Sequence, residues 1–500
     1  MTSWFITSGA LREVKEAAEA LGVRVYVAGG CVRDRLLERE SHDMDFAVDG
    51  PAMTLARSVA DRIRGGYFAL DEERGAARVV RKVGATARYL DFARLRGRDL
   101  EADLGLRDFT VNAIAVALDQ WEQDSPSWVD PTGGLGDLEE GLLRATSPET
   151  FVDDPLRTLR AARLAGSLGL RYDPDTEALI RRDAPLLATA SGERVRDELS
   201  QMMGSSGPYA RVLDLDRLGL LTVILPEMIP MKGVEQGPWH QFGVYEHSLR
   251  TVQALEALQD PPAMIDLVHQ KGIWEGWEAV RHEFAAEVEA YLSQELSGGR
   301  PRRVLLRLAA LLHDVAKPEL RIADRNGCWR FHGHDKAGAP IVGSILRRLR
   351  FSSREVREGQ IVVRHHMSPG FLTKAGEVTR RAAYRFFRDT RGVGISVLLL
   401  SLADYLATKG SSIEQESWEE HLSTIGCLLR LYYREPELAN PPRLVTGDEL
   451  MAELRIPSGP QVGELLEAIR EAQAMREVRS REEALALAQR LLMDERLADS

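Results

Sequence analysis

The chain has 500 residues, which at roughly 150 per domain leaves room for about three domains and more than one core. Hydrophobic residues at 44% and charged ones at 28% are ordinary globular values and exclude wholesale disorder. With 65 Lys and Arg against 76 Asp and Glu, the net charge of −11 excludes a uniformly basic surface, so any nucleic acid must meet local basic patches. Cys31, Cys328 and Cys427 are widely spaced without a CxxC, against both a disulfide framework and a cysteine-built zinc site. No basic-then-apolar leader opens the chain, and its most apolar stretch, 395–403, is far shorter than the roughly 20 residues that span a bilayer. A cytoplasmic protein with no membrane partner is expected.

In chain order, LREVKEAAEAL (11–21) has the spacing of an amphipathic helix stopped by Gly22, and VRVYVA (23–28) reads as a strand ending in Gly29-Gly30. HDMDFAV (42–48) and RYLDFARL (88–95) read as further strands, with a helix over MTLARSVADRI between them. This is an α/β or α+β head. After Thr146, helix follows helix: 155–170, 176–189 and 193–203 carry apolar residues at three- and four-residue spacing. Boundary signals at 226–238 and at Asn440-Pro441-Pro442 divide the chain into a head (1–145), a neck (146–235), a histidine-rich helical domain (236–440) and a helical tail (441–500). The Trp- and acid-rich segment 260–300 has no legible role.

Gly29-Gly30 after a strand suits a phosphate, though alone such a pair is more often a plain turn. Asp43 and Asp45 flank Met44 on a strand, so alternation sends both carboxylates to one face, where a pair of magnesium ions could sit between them. Asp91, flanked by Leu90 and Phe92, could add a third acid; by itself the DxD is also compatible with a solvated strand face.

GGCVRD, DMDFAV, LRDFTVNAIA (106–115), DPTGGLGDL (130–138) and DDPLRTLRAARLA (153–165) follow one another in an order that resembles the class II tRNA nucleotidyltransferase/poly(A) polymerase family of the polymerase-β superfamily. The resemblance implies an α+β, polymerase-β-like head that adds CC or CCA to tRNA from CTP and ATP. It implies Asp43 and Asp45 as Mg²⁺ ligands and Asp91 as a third catalytic acid. Gly29, Gly30, Arg33, Asp34, Arg107, Asp108 and Asn112 would bind nucleotide, together with Asp154, Arg157, Arg160 and Arg163. At i and i+3, Asp154 and Arg157 would share one helix face. A carboxylate that accepts beside a guanidinium that donates matches the edges of cytosine and adenine and rejects uracil and guanine. A plain salt bridge is the other reading of that pair. Two departures from the family stand out: Asp153-Asp154 where Glu-Asp is usual, and Leu106-Arg107 where paired arginines are usual. Full CCA-adding members carry a flexible loop before RDFT, and those that add only CC have it shortened. Here only GRDLEAD follows Arg96 before Leu104, which resembles the shortened form.

In the second half, His247, His313-Asp314, His334, His365-His366 and Asp404 come from several predicted helices that could enclose one or two divalent metals. Their order resembles the HD phosphohydrolase superfamily. By that resemblance His247, His313, Asp314 and Asp404 are core ligands, and His334 with one of His365 and His366 completes a dinuclear site. Lys317 would lie near the substrate phosphate, and the metal would be Mn, Ni, Co, Fe or Mg. Terminal or 2′,3′-cyclic phosphates on RNA would be hydrolysed, unless the domain persists as a metal-free scaffold. His240, His269, His282 and His421 have no partner pattern and read as surface or filler. Arginines at 347, 348, 350, 354 and 357, and at 380, 381, 385 and 388, read as RNA contacts or as solvated faces. A poly(A) polymerase and a hydrolase with a sensing head are the alternatives; the oligomeric state is not legible.

Overall fold

A computed structural model describes residues 8–41, 43–83, 86–237, 240–259 and 271–498. His42, His269 and the 260–270 part of the Trp-rich segment lie outside the described residues. The chain forms two compact units, one of residues 1–190 with 215–224 and one of 191–214 with 225–500. The division falls inside the expected neck.

In the first unit, α1 (Ser8–Leu21), β1 (Arg24–Ala28), α2 (Gly30–Leu36), β2 (Asp43–Asp49) and α3 (Ala52–Ile63) alternate. A hairpin follows, β3 (Gly66–Asp71) and β4 (Ala76–Val83), then β5 (Thr86–Arg94), α4 (Leu100–Gly105) and β6 (Ala115–Ala117). The sheet has the order β3-β4-β5-β2-β1-β6, with only β2 and β5 parallel. Met44, Phe46, Val79, Leu90 and Phe92 alternate into a core shared with Leu55 and Val59 of α3 and Val14 of α1. Phe46 and Phe92, opposite each other in the parallel pair, stack at 4.8 Å. The β3–β4 hairpin has no counterpart in the sequence reading, because edge strand β3 is largely exposed, with Tyr67 partly packed on the core, and shows no apolar alternation.

The DPTGGLGDL motif acts as a clamp. Asp130 accepts from the backbone N–H groups of Gly134 and Leu135 at 2.8 and 2.9 Å, which starts α5 (Gly134–Glu139). Asp137 on that helix accepts from the Thr110 hydroxyl at 2.7 Å and so fixes the segment that carries Asp108 and Asn112. Two helices, α6 (Thr150–Asp153) and α7 (Leu156–Leu168), then meet at Pro155.

The second unit holds α8 (Val244–Gln259), α9 (Lys271–Ser293), α10 (Arg302–Leu312), α11 (His334–Arg348), α12 (Ser353–His365), α13 (Arg380–Thr390), α14 (Gly394–Lys409) and α15 (Gln415–Arg434). Apolar α14 is the buried centre and packs on α8, α10 and α12. The Trp-rich segment supplies core: Trp277 on α9 donates to the Leu258 carbonyl, and Trp418 on α15 donates to the Ile273 carbonyl. The tail, α16 (Gly447–Leu454), α17 (Pro460–Ala474) and α18 (Arg481–Ala498), has a small core of its own. Among the described residues no single helix is long and apolar enough to cross a membrane.

Gly134 packs so closely on the 110–112 turn that a Cβ would run into the Thr110 carbonyl. Gly134→Ala is therefore expected to destabilise the head by about 1–3 kcal/mol, as overpacking does. Calorimetry should register a lowered melting temperature, and an unchanged one would mean the clamp is loose.

Candidate functional site

The parallel pairing of β2 and β5 sets Asp45 beside Asp91, and strand alternation brings Asp43 to the same face. Arg78 on β4, opposite Asp91, holds that carboxylate with two 2.7 Å hydrogen bonds. Burial pushes the Asp45 carboxyl up to about 6 against the pull of Arg107, and Asp91 and Asp43 add to the rise. Such a gathering of like charge fits a divalent cation, which relieves the repulsion.

Gly29, at φ 87°, is where the glycine is required: a Cβ would lie 2.7 Å from Arg107 Nη1 and 3.1 Å from Asp45 Oδ2. Bare backbone there admits the Arg107 guanidinium beside the carboxylates. Gly30 opens α2, which carries Arg33 and Asp34. Arg33 donates to Asp34 at 2.6 Å and to Asn112 at 2.6 Å. Asn112 donates to Asp108 at 3.0 Å, and Asp108 also accepts from Arg160 at 3.2 Å. Burial would raise the Asp108 carboxyl, but Arg160 and Asn112 hold it below its ordinary value. One continuous network therefore joins α2, the RDFT segment and α7. Arg163 lies one turn beyond Arg160 on α7, partly exposed.

Asp154 and Arg157 are not on one helix face as expected. Asp154 is extended (φ −148°, ψ 98°) between α6 and α7, because a residue before proline is pushed out of the helical region. Its carboxylate accepts from Leu156 N at 3.3 Å, while Arg157 donates to the carbonyls of Leu106 (3.1 Å) and Thr150 (3.3 Å). The connection before RDFT is short and ordered. Asp99 caps α4 at Ala102 N (2.9 Å), and buried Asp103 accepts from Arg96 N and Nε, each at 3.0 Å, and from Arg107 at 3.5 Å. Sequence reasoning missed Arg78, Arg96 and Asp103; only strand register and tertiary pairing mark them.

In the second unit His247 comes from α8, His313 and Asp314 from the end of α10, His334 from the start of α11, His366 from the end of α12 and Asp404 from α14. His313, His334 and His366 each place Nδ1 against the carbonyl three residues back, at 2.8, 2.7 and 2.7 Å. Donation there leaves each Nε2 lone pair facing inward. The Nε2 atoms meet in pairs, His247 with His313 at 3.2 Å and His334 with His366 at 3.3 Å. Asp314 lies 3.2 Å from both His313 and His334, and Asp404 lies 3.0 Å from His247. Two sets of donor atoms converge within 4.8 Å: His247, His313 and Asp404, and His313, Asp314 and His366. Converging nitrogen lone pairs with two carboxylates fit a divalent metal, the one Nε2 lone pair of His313 serving a single ion. Burial opposes protonation of His313, yet Asp314 and Asp404 hold it up at about 10, so a metal binding there would displace the Nε2 proton. His365 is half-buried and belongs to neither set.

A cavity of about 740 Å³ opens beside this cluster. His240 and His421, read as filler, both line it. His421 bonds Thr373 at 3.0 Å and Ser401 at 3.3 Å and stacks on Tyr405. Lys317 donates to Gln236 at 2.6 Å and pairs with Asp314 at 2.6 Å. His282 is exposed.

The arginine clusters are largely engaged within the protein. Arg385 and Arg381 pair with Glu471, Arg388 with Glu467, Arg380 with Glu435, Arg354 with Glu358 and Arg348 with Glu227.

Family models match residues 25–144 ("Poly A polymerase head domain"), 169–232 ("Probable RNA and SrmB- binding site of polymerase A") and 244–409 ("HD domain"). An A-adding tRNA nucleotidyltransferase of Deinococcus radiodurans is 35% identical over 470 residues, 93% of this chain and 94% of that one. The chain belongs to the tRNA nucleotidyltransferase/poly(A) polymerase family. A second family relative, the CC-adding tRNA nucleotidyltransferase of Geobacter sulfurreducens, is also 35% identical, over 93% of this chain and 91% of its own. Among solved structures, a Thermotoga maritima CCA-adding enzyme complexed with tRNA shares the fold at a TM-score of 0.55 and 20% identity, covering 97% of this chain and 95% of that one. The family's nucleotidyltransferase and HD domains are metal-dependent.

Burial lowers His421 to about 4, although the Ser401 hydrogen bond and the charge of Asp404 pull the other way. A folded-state value below the ordinary one means the unfolded chain takes up the proton first, so stability is full above pH 6.5 and falls as the pH drops toward 4. His421 alone should account for on the order of 3 kcal/mol of that loss. Denaturant titrations from pH 7 to 4.5 should show a shallower decline in His421→Asn; an identical slope would contradict the assignment.

Proposed function

We propose that this enzyme adds cytidines from CTP to the 3′ end of tRNA and stops at CC, while its HD unit hydrolyses phosphoesters. The observation that carries the first part is the short connection before RDFT, capped by Asp99 and tied through Asp103 to Arg96 and Arg107. A segment held at both ends cannot swing the base-reading groups from a pyrimidine to the larger adenine. The Arg157 guanidinium, braced on the carbonyls of Leu106 and Thr150, and the Asp154 carboxylate read the base edge as donor and acceptor. Arg107, admitted by Gly29, meets the triphosphate, and Arg33, Asp34, Asp108, Asn112, Arg160 and Arg163 position nucleotide around it.

Asp43 and Asp45 would hold Mg²⁺, with Asp91 beside them. His247, His313, Asp314, His334, His366 and Asp404 would hold Mn, Ni, Co, Fe or Mg. Bound at these sites, divalent cations lower the pKa of a hydroxyl or water and neutralise phosphate charge. Lys317, buried against Asp314 and Gln236, orients a substrate phosphate.

The similarity to the Deinococcus enzyme favours a second reading, addition of the terminal A alone. One experiment separates these. A tRNA lacking its 3′ end and one ending in CC are incubated with CTP and ATP, and the products are sequenced. CC ends with little A on the second RNA are expected. CCA ends overturn the proposal, A added only to the CC-ended RNA supports the second reading, and long A tails indicate poly(A) polymerase activity.

Asp43→Asn or Asp45→Asn should abolish nucleotide transfer and spare phosphohydrolysis. His313→Ala with Asp314→Ala should do the reverse. Loss of both activities from a folded single-site variant would contradict two separate centres. By mass spectrometry, His366→Ala should lose metal from the HD unit while His365→Ala keeps it; equal retention would refute the ligand choice.

A further inference from the structure

The register of the head sheet aligns four residues of four adjacent strands. Asp45 on β2 is opposite Asp91 on β5, Asp91 is opposite Arg78 on β4, and Arg78 is opposite Phe68 on edge strand β3. Directly opposed residues share a face, so this row runs from the carboxylates to the edge of the sheet. The reverse face carries Met44, Phe92, Ala77 and Val79 and is buried in the core. The row face instead carries groups suited to bases and phosphates. The Arg78 guanidinium lies 4.9 Å over the Tyr89 ring, whose residue pairs with Asp43. Phe68 is 55% exposed, and Leu70, at the bulge that follows, is 54% exposed. Lys82 on β4 alternates to the same side as Arg78.

An exposed phenylalanine at the end of a row that starts at a catalytic carboxylate needs an occupant. Strand spacing puts Phe68 three strands, roughly 14 Å, from Asp45. That is about the length of two nucleotides of single-stranded RNA, and aromatic rings on such a track stack bases without regard to sequence. The Arg78 charge is taken up by Asp91, and the exposed Lys82 cation complements the phosphates between.

We propose that the row face of β3 and β4 is the track for the single-stranded 3′ end of the RNA being extended, with a base just upstream of the reacting nucleotide stacked on Phe68 against Leu70. This rests on the nucleotidyltransferase reading of the Asp43, Asp45 and Asp91 face. It assigns Phe68 as an RNA-positioning residue of the head, remote from the nucleotide and from the base-reading pair.

Phe68→Ala/Leu70→Ala tests it, since both side chains are exposed. In steady-state transfer to full-length tRNA, the KM for RNA should rise about tenfold. The KM for CTP and the kcat at saturating RNA should stay within about twofold of wild type, and Phe68→Trp should restore the KM for RNA. An unchanged KM for RNA, or a loss confined to kcat, would overturn the proposal. A shift in oligomeric state of the double variant, read by sedimentation, would assign the strand edge to self-association and overturn it too. Failure of the wild-type enzyme to extend any tRNA would instead refute the nucleotidyltransferase reading, and is visible in the control arm.

Discussion

Carboxylates brought together on a folded surface repel, and the head is organised around that repulsion. Asp43, Asp45 and Asp91 share one face because β2 and β5 run parallel in register, and Phe46 stacked on Phe92 holds that register from the other side. Arg78 neutralises Asp91, Arg107 reaches Asp45 over bare Gly29, and the balance of charge remains negative. The core that fixes the strands is thus also what concentrates the charge, and a cation is the natural counterpart.

The HD unit solves a related problem with other donors. Here the acids lie among imidazoles, and the rings of His313, His334 and His366 are each oriented at a helix end: a carbonyl three residues back takes the Nδ1 proton and turns Nε2 inward. Three helix termini and two helix interiors converge because apolar α14 draws them around itself. Carboxylates on a sheet and enclosed imidazoles in a bundle offer cations two different sets of donor atoms.

Local chemistry was legible in the sequence. Asp43 and Asp45 at a spacing of two, Gly29 after a strand and the His-Asp pair all stand where the sequence reading expected them, because each depends on a few neighbouring residues. The helix-face pairing of Asp154 with Arg157 failed on one local signal, the proline that follows Asp154 and breaks the helix. The arginine clusters looked available because their acids lie far along the chain: Glu471 is 86 residues from Arg385 and Glu467 is 79 from Arg388. Arg78, Asp103 and the lining roles of His240 and His421 depend on strand register or helix packing, which no spacing announces.

The central claim is that two unlike, independent cation centres sit in one chain. Manganese titration of the full chain followed by electron paramagnetic resonance tests it most directly. The account predicts two classes of bound Mn²⁺, one lost in Asp45→Asn and the other lost in His313→Ala with Asp314→Ala. A single class, or the loss of both in either variant while the fold persists, would contradict it.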